Sequence, residues 1–315
     1  MINARQPLIE LQNLHRYFGD TRAVEDMSFE VYSGEVFGYI GPNGAGKTTS
    51  MRILATLDEP TAGDAFVDGF SVIDDPDRVR RRLGFMPDYF GTYQNVNVGE
   101  YLDFFARAYG LRRDERKQAI SSVMEFTLLD KLANKPIDGL SKGMKQRLCL
   151  GRTMIHNPSV LILDEPAAGL DPRARIELRE MISQLAQLGK AVLISSHILT
   201  ELAEICDKVG IIEQGRLLAV GTVDEISSKT ESSSRVRMRI LDDQQRLLDW
   251  LARRADISEV AAEAGFVVLT HEGDESEQAA LLKELIEAGF SLTEFASKTK
   301  SLEDVFLHVT EGRVQ

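Results

Sequence analysis

The chain reads as an α/β protein in two parts: a largely parallel core interrupted by a helical insert, followed by a small α+β domain. Three observations carry that reading. The apolar strand Val36–Ile40 runs straight into a glycine-rich loop, GPNGAGKT from Gly41 to Thr48, and from there into a helix. Two continuous apolar runs, VLILD and AVLIS, have the unbroken hydrophobicity of strands covered on both faces of a parallel sheet. Between them and the loop, from Asp88 to about Ile155, apolar residues recur at three- and four-residue spacings: Tyr101, Phe104, Phe105, Ala108 and Tyr109, then Ile120, Val123, Met124 and Phe126.

Taken in order, LIELQNL and SFEVYSGEVFGYI alternate as short strands before the loop, and the helical insert is expected over about residues 88–155. VLILD resumes the core, a helix follows from Arg173 to Leu188, AVLIS is the next buried strand, and GIIEQGRLLAVG folds back as a hairpin across Gln214 and Gly215. Composition shifts after Gly221, and TESSSR, from Thr230 to Arg235, reads as a linker of small polar residues. The core domain is therefore expected over residues 1–222 and an accessory α+β domain over 223–315. In the latter, RVRMRIL, GFVVLT and SLTEF alternate as strands, while QQRLLDWLARR, EQAALLKELIEAG and LEDVFLHVT are helical, an order that suggests a ferredoxin-like sandwich. Trp250 and Phe266 are expected in its core.

Composition bounds the function. The 315 residues, 43% hydrophobic and 27% charged, are ordinary for a globular protein and suffice for two domains. No stretch reaches the roughly 20 apolar residues of a membrane-spanning helix. The start, MINARQPLIELQ, lacks the basic and then apolar pattern of a secretory signal, so residence in the cytosol is expected. Cys149 and Cys206 have no CxxC or histidine companion and read as small core hydrophobes in a reducing compartment. A formal charge of −12 argues against a nucleic-acid partner.

The chemistry begins at the glycine-rich loop. Gly41, Gly44 and Gly46 permit backbone angles and close approach that a Cβ would block, so the loop from Gly41 through Pro42, Asn43, Gly44, Ala45 and Gly46 to Thr49 can wrap phosphates with the N–H groups of its residues other than proline. Lys47 places a point charge near the β- and γ-phosphates, Thr48 offers a hydroxyl to Mg²⁺, and the helix that follows adds a positive dipole end. Tyr17 and Phe18 precede Gly19 at the end of an early strand, and Phe18 is a candidate platform for a purine ring. VLILDEP buries its strand and delivers Asp164 and Glu165 at the C-terminal edge, where ligands of open α/β sheets gather. Asp164 is expected to hold Mg²⁺ through a water and Glu165 to accept a proton from the attacking water. His197, after the next buried strand, is the candidate for orienting the γ-phosphate.

With GPNGAGKT, LSKGMKQR (Leu140–Arg147), LILDEP, AGLDP and ISSHIL in this order, the chain resembles the ATPase subunit of an ABC transporter across roughly residues 8–222. The resemblance implies a P-loop NTPase core with a helical subdomain, ATP and Mg²⁺ as cofactors, and ATP hydrolysis that powers a separate integral-membrane permease. It implies a head-to-tail dimer, with a second copy or a homologous subunit, in which the family's LSGGQ motif binds the γ-phosphate held by the opposite chain. Ser141 and Gly143 match the serine and second glycine of that motif, and Asp171 matches the aspartate that crosses the dimer interface. The chain is then expected on the cytoplasmic side of the membrane, as a peripheral subunit. The ending SLEDVFL resembles that of exporter-type ATPases, which move drugs, lipids or polysaccharides.

This chain departs from the family pattern in two places. Lys142 stands where the family has its first glycine and Met144 where it has glutamine, which removes an amide and adds a charge beside the phosphate site. Pro87-Asp88 replaces the family's Pro-Gln, making Asp88 a candidate metal ligand; Gln94, a few residues on, is the alternative. The surface near Phe90, Tyr93 and Tyr101 is the one that would receive the permease if these aromatics are exposed, with burial in the helical insert the equal alternative. Alternatives of other classes are a soluble relative acting on ribosomes or DNA, against which stand the single ATPase core and the lack of long coiled coils, and a regulatory pseudo-ATPase, against which stand Lys47, Glu165 and His197.

Overall fold

A computed structural model describes residues 6–89, 91, 95–198, 202–222, 225–226, 233–241, 244–263 and 265–298 of the chain. The chain folds as two compact units, Met1–Thr222 and Val223–Gln315.

The first unit opens with β1 (Ile9–Phe18), β2 (Thr21–Val31), β3 (Val36–Ile40), α1 (Lys47–Leu54), β4 (Ala62–Val67), β5 (Phe70–Ser71), α2 (Pro76–Arg82) and β6 (Leu83–Met86). The insert contributes α3 (Val98–Ala108), α4 (Arg113–Phe126) and α5 (Lys142–Met154), after which come β7 (Val160–Leu163), α6 (Pro172–Gln187), β8 (Ala191–Ser196), β9 (Lys208–Glu213) and β10 (Arg216–Gly221). Two sheets result. The antiparallel one has the order β2-β1-β4-β5, and the other has the order β10-β9-β3-β8-β7-β6. In the second sheet β9, β3, β8, β7 and β6 run parallel, with β10 antiparallel at one edge. Every residue of β3, β7 and β8 is buried, as their unbroken apolar runs require. Met51, Ile53 and Leu54 of α1 join both sheets into one core with Ile9, Leu14, Met27, Phe37, Tyr39, Ile162 and Leu193. This packing holds the start of α1 against the ends of β3, β7 and β8, where the parallel strands release their functional residues.

The insert has its own core of Val98, Tyr101, Leu102, Ala106, Val123, Met124, Ile137, Leu140, Leu148 and Ile155. Asn97 and Glu100 start α3 with a reciprocal capping box. For Tyr101 the structure decides between the two alternatives: it is 1% exposed and belongs to this core. The helical repeat sends its ring inward together with that of Phe105, 4.9 Å away, and turns Phe104 out. Phe90, Tyr93 and Gln94 lie outside the described residues.

The second unit is built from β11 (Ser233–Ile240), α7 (Gln244–Leu251), β12 (Ile257–Glu263), β13 (Phe266–Glu272), α8 (Glu275–Glu287) and β14 (Leu292–Lys298). Its antiparallel sheet has the order β12-β13-β11-β14. Residues 233–235, expected as linker, already pair with β13. β12 has no hydrophobic period to announce it, because it is an edge strand with mostly exposed side chains. Trp250 borders the core, edge-on to Phe290, as expected. Phe266 does not join it: alternation along β13 points Val267 and Leu269 toward the core and leaves Phe266 beneath the Arg237 guanidinium, 4.4 Å from its ring centre. The segment LEDVFLHVT lies outside the described residues. Among the described residues no helix is long and apolar enough to cross a membrane.

The burial of Tyr101 makes a checkable difference. Tyr101→Ala should destabilise the insert by about 3–5 kcal/mol, as large-to-small changes of buried aromatics do, and differential hydrogen exchange should localise the loss to α3, α4 and α5. A substitution that left exchange unchanged would return the residue to the surface.

Candidate functional site

The site starts where β3 ends. A Cβ on Gly41 would overlap the Ile212 carbonyl, and one on Gly46, whose φ is +103°, would overlap the Ala23 carbonyl, so this loop can lie where it does only with glycine at both places. Pro42, Asn43 and Gly44 form the exposed crest of the loop, whereas Ala45, Gly46 and Lys47 are buried at its base. The turn between β9 and β10 buttresses that base: the Gly215 N–H donates to the Ala45 carbonyl at 3.0 Å. Lys47 folds back, its Nζ donating to the Gly41 carbonyl at 2.6 Å and the Pro42 carbonyl at 3.1 Å. Burial pulls its pKa below the ordinary lysine value, while the charges of Glu165 and Asp164 oppose that shift. Thr48 is exposed and Thr49 half-buried at the first turn of α1.

Three parallel strands then bring the acidic groups to the loop. The Asp164 N–H donates to the Met86 carbonyl at 2.8 Å, extending the β6–β7 ladder by one bond beyond the strand. Its carboxylate, completely buried, accepts from Thr48 Oγ1 at Oδ2 (2.8 Å) and from Ser195 Oγ at Oδ1 (2.6 Å). Burial raises the pKa of Asp164; the hydrogen bonds from Ser195 and Thr48 oppose the shift, and the charges of Asp88 and Glu165 add to it. Glu165 takes a left-handed backbone conformation, φ +48°, disfavoured for a residue with a Cβ by about 1–2 kcal/mol. Its N–H donates to Ser195 Oγ at 2.9 Å, and its Oε2 lies 2.9 Å from Nδ1 of the half-exposed His197. Lys47, Thr48, Asp164, Glu165 and His197 thus meet at one edge of the sheet. Asp88, in the bend after β6, is exposed and accepts the Tyr89 N–H at 2.7 Å.

The other candidates occupy different places. Phe18 ends β1, 47% exposed, with the Arg16 guanidinium 4.4 Å from one face of its ring and Arg16 itself paired to Asp58 at 2.7 Å. Ser141 is the N-cap of α5, its Oγ accepting the Met144 N–H at 3.3 Å. Asp171 is the N-cap of α6, its Oδ1 accepting the Ala174 N–H at 2.9 Å ahead of Pro172. The two helix starts touch. A Cβ on Gly143 would press on Ala174, Lys142 lies across Gly169, and Arg147 pairs with Glu177.

Sequence reasoning missed Ser195, Gly215 and Arg16. Ser195 had a faint signal as a polar residue inside a wholly buried strand, two positions before His197. Gly215 was read as a turn residue only, because its support of the loop is a contact between distant segments.

Among the described residues no group of three or more His, Cys, Asp or Glu could hold a metal. A magnesium ion needs no such group, since it takes few protein oxygens and completes its shell with phosphate and water. Thr48 Oγ1 and Asp164 Oδ2, hard oxygens that meet beside the loop, fit that chemistry.

Because burial raises the pKa of Asp164, its charge costs stability at neutral pH, and that cost disappears as pH falls and the group protonates. Asp164→Asn should therefore raise the melting temperature of the chain by about 2–4 °C, the effect of ~1 kcal/mol in a domain of this size. The gain should shrink when melting is measured at acid pH.

The family described as ABC transporter matches residues 24–168, and the one described as ATP-binding protein DrrA1-3-like, C-terminal domain, matches residues 221–310. The chain is 33% identical over 305 residues to the uncharacterized ABC transporter ATP-binding protein YxlF of Bacillus subtilis (strain 168), covering 97% of this chain and 100% of that one. It is also 33% identical over 311 residues to the Nod factor export ATP-binding protein I of Burkholderia thailandensis, covering 98% of each. A solved structure of the ATP binding subunit of an ABC transporter superposes with a TM-score of 0.65 at 32% identity, over 71% of this chain and 93% of that one. The chain belongs to the ATP-binding subunits of ABC transporters, ATPases whose turnover is coupled to transport.

Proposed function

We propose that this subunit closes head to tail with a second ATPase chain around two ATP molecules and drives an integral-membrane permease from the cytoplasmic side of the membrane. The observation that carries the reading is the hydrogen-bonded line from Thr48 through Asp164, Ser195 and Glu165 to His197, which joins the phosphate loop to a carboxylate–imidazole pair. The loop from Gly41 to Thr49 holds the triphosphate, with Lys47 as its cation. Phe18 offers the ring face opposite Arg16 to the adenine. Thr48, Asp164 and Asp88 would hold Mg²⁺, and the ion would neutralise phosphate charge that develops during transfer. Glu165 takes the proton of the attacking water, and His197, positioned against Glu165, orients the γ-phosphate. Ser141 and Gly143 serve the partner's nucleotide, and Asp171 lies at the same interface.

Export of a drug, lipid or polysaccharide fits the exporter-type ending of the chain and the Nod factor export named for the Burkholderia relative. The alternatives acting on ribosomes or DNA gain nothing from relatives named as transporter subunits.

The test is Glu165→Gln with ATP and Mg²⁺. Hydrolysis should fall at least a hundredfold and the protein should elute from size exclusion at twice the monomer mass; a monomer under saturating ATP would overturn the composite site. For Asp88, replacement by Ala should cut turnover at least tenfold while leaving nucleotide binding in EDTA near normal, and unchanged turnover would remove it from the site.

A further inference from the structure

We propose that Ser195 is a positioning residue for ATP hydrolysis, one hydroxyl that sets both acidic side chains at the end of β7. The proposal rests on reading Asp164 as the metal-side carboxylate and Glu165 as the base.

Its place in the fold is central. β8 lies between β3, which feeds the phosphate loop, and β7, which delivers the acids. Ser195 is in register with Tyr39 of β3 and follows Ile194, the partner of Leu163, so it stands beside Asp164 just past the end of the β7 ladder. It is completely buried.

A hydroxyl has one proton to give. The Glu165 N–H already points at Ser195 Oγ from 2.9 Å, so the oxygen is the acceptor there and its proton is committed to Asp164 Oδ1 at 2.6 Å. That commitment has two consequences. Asp164 Oδ1 is occupied from the sheet side, which fixes the rotation of the carboxylate and turns Oδ2 toward Thr48 Oγ1. Glu165 is held in its left-handed backbone conformation, φ +48°, from which the side chain reaches His197. The neighbouring serine acts on a different segment, since Ser196 Oγ accepts the Ile198 N–H at 3.0 Å and shapes the turn that carries His197. A residue at 195 that only filled space would leave a buried carboxylate oxygen and a backbone N–H without their partner.

The experiment compares Ser195→Ala and Ser195→Thr in the full chain. ATP affinity is measured by equilibrium titration in EDTA and in Mg²⁺, alongside steady-state turnover. Ser195→Ala should bind ATP in EDTA within about twofold of the parent, lose roughly tenfold of the affinity that Mg²⁺ adds, and lose at least tenfold in kcat, the order expected for one hydrogen bond to a charged group. Ser195→Thr, which keeps the hydroxyl, should restore both. Equal weakening with and without Mg²⁺, no change in either, or a folded Thr variant as defective as Ala would overturn the proposal. Should the Ala variant fail to fold by circular dichroism, Ser195→Cys, similar in volume but a weak donor, carries the same comparison. Glu165→Gln run in parallel keeps the two readings apart: turnover retained there overturns the assignment of the base, whatever Ser195 does.

Discussion

The structure of the site is governed by a carboxylate placed where a carboxylate is expensive. Asp164 is completely buried, and among the described residues its hydrogen bonds come from two hydroxyls and not from a cation. Desolvating an ion costs several kcal/mol even after relaxation, so the surroundings must supply donors in fixed geometry. β6 supplies the Met86 carbonyl that pins the Asp164 backbone, α1 supplies Thr48, and β8 supplies Ser195. The nearby cation is held elsewhere: Lys47 donates to the carbonyls of its own loop, Gly41 and Pro42. Positive charge is kept on the loop and negative charge on the sheet, and that separation suits a ligand bearing both signs, a triphosphate with its metal.

The same constraint explains the backbone. Gly41 and Gly46 bring the loop under the Ile212 and Ala23 carbonyls, so the segment that would wrap phosphates rests on the antiparallel sheet and on the β9–β10 hairpin. Glu165 gives up a favourable backbone conformation, and its N–H is satisfied by the same serine that serves Asp164. Strain of this kind persists where surrounding contacts over-determine the geometry, and β3, β8 and β7, buried throughout, provide that rigidity.

What the sequence made legible followed from local pattern. The phosphate loop, the acidic pair and His197 each sit at the end of an unbroken apolar run, and strand-end placement needs no knowledge of distant contacts. Ser141 and Asp171 entered only through the resemblance, and their roles as helix N-caps came from the structure. Contacts between segments far apart in the chain were not legible. Ser195 looks like any serine until β8 is placed between β3 and β7, and Gly215 looks like a turn residue until its N–H is found under Ala45. Tyr101 stays open in the sequence because an aromatic on an amphipathic helix is equally compatible with core and interface, and only the packing of α4 and α5 against α3 decides. β12 was missed because an edge strand with solvent on most of its side chains carries no period.

The departure at Lys142 changes meaning once the two helix starts are seen together. Its side chain lies across Gly169, at φ +66°, where a Cβ would collide with the ammonium. The ammonium, at the far end of a flexible side chain, could swing aside, so it is the left-handed backbone that favours glycine at 169, in the loop that joins Glu165 to Asp171. Gly143 against Ala174 and Arg147 against Glu177 extend the same contact from α5 onto α6. The cap serine that faces a partner's nucleotide in the proposed dimer is thereby packed onto the loop that carries this chain's own Glu165. A shift of α5 on meeting a phosphate would be transmitted to that loop through side-chain contact, with Lys142 as a link that the glycine of the family motif cannot provide.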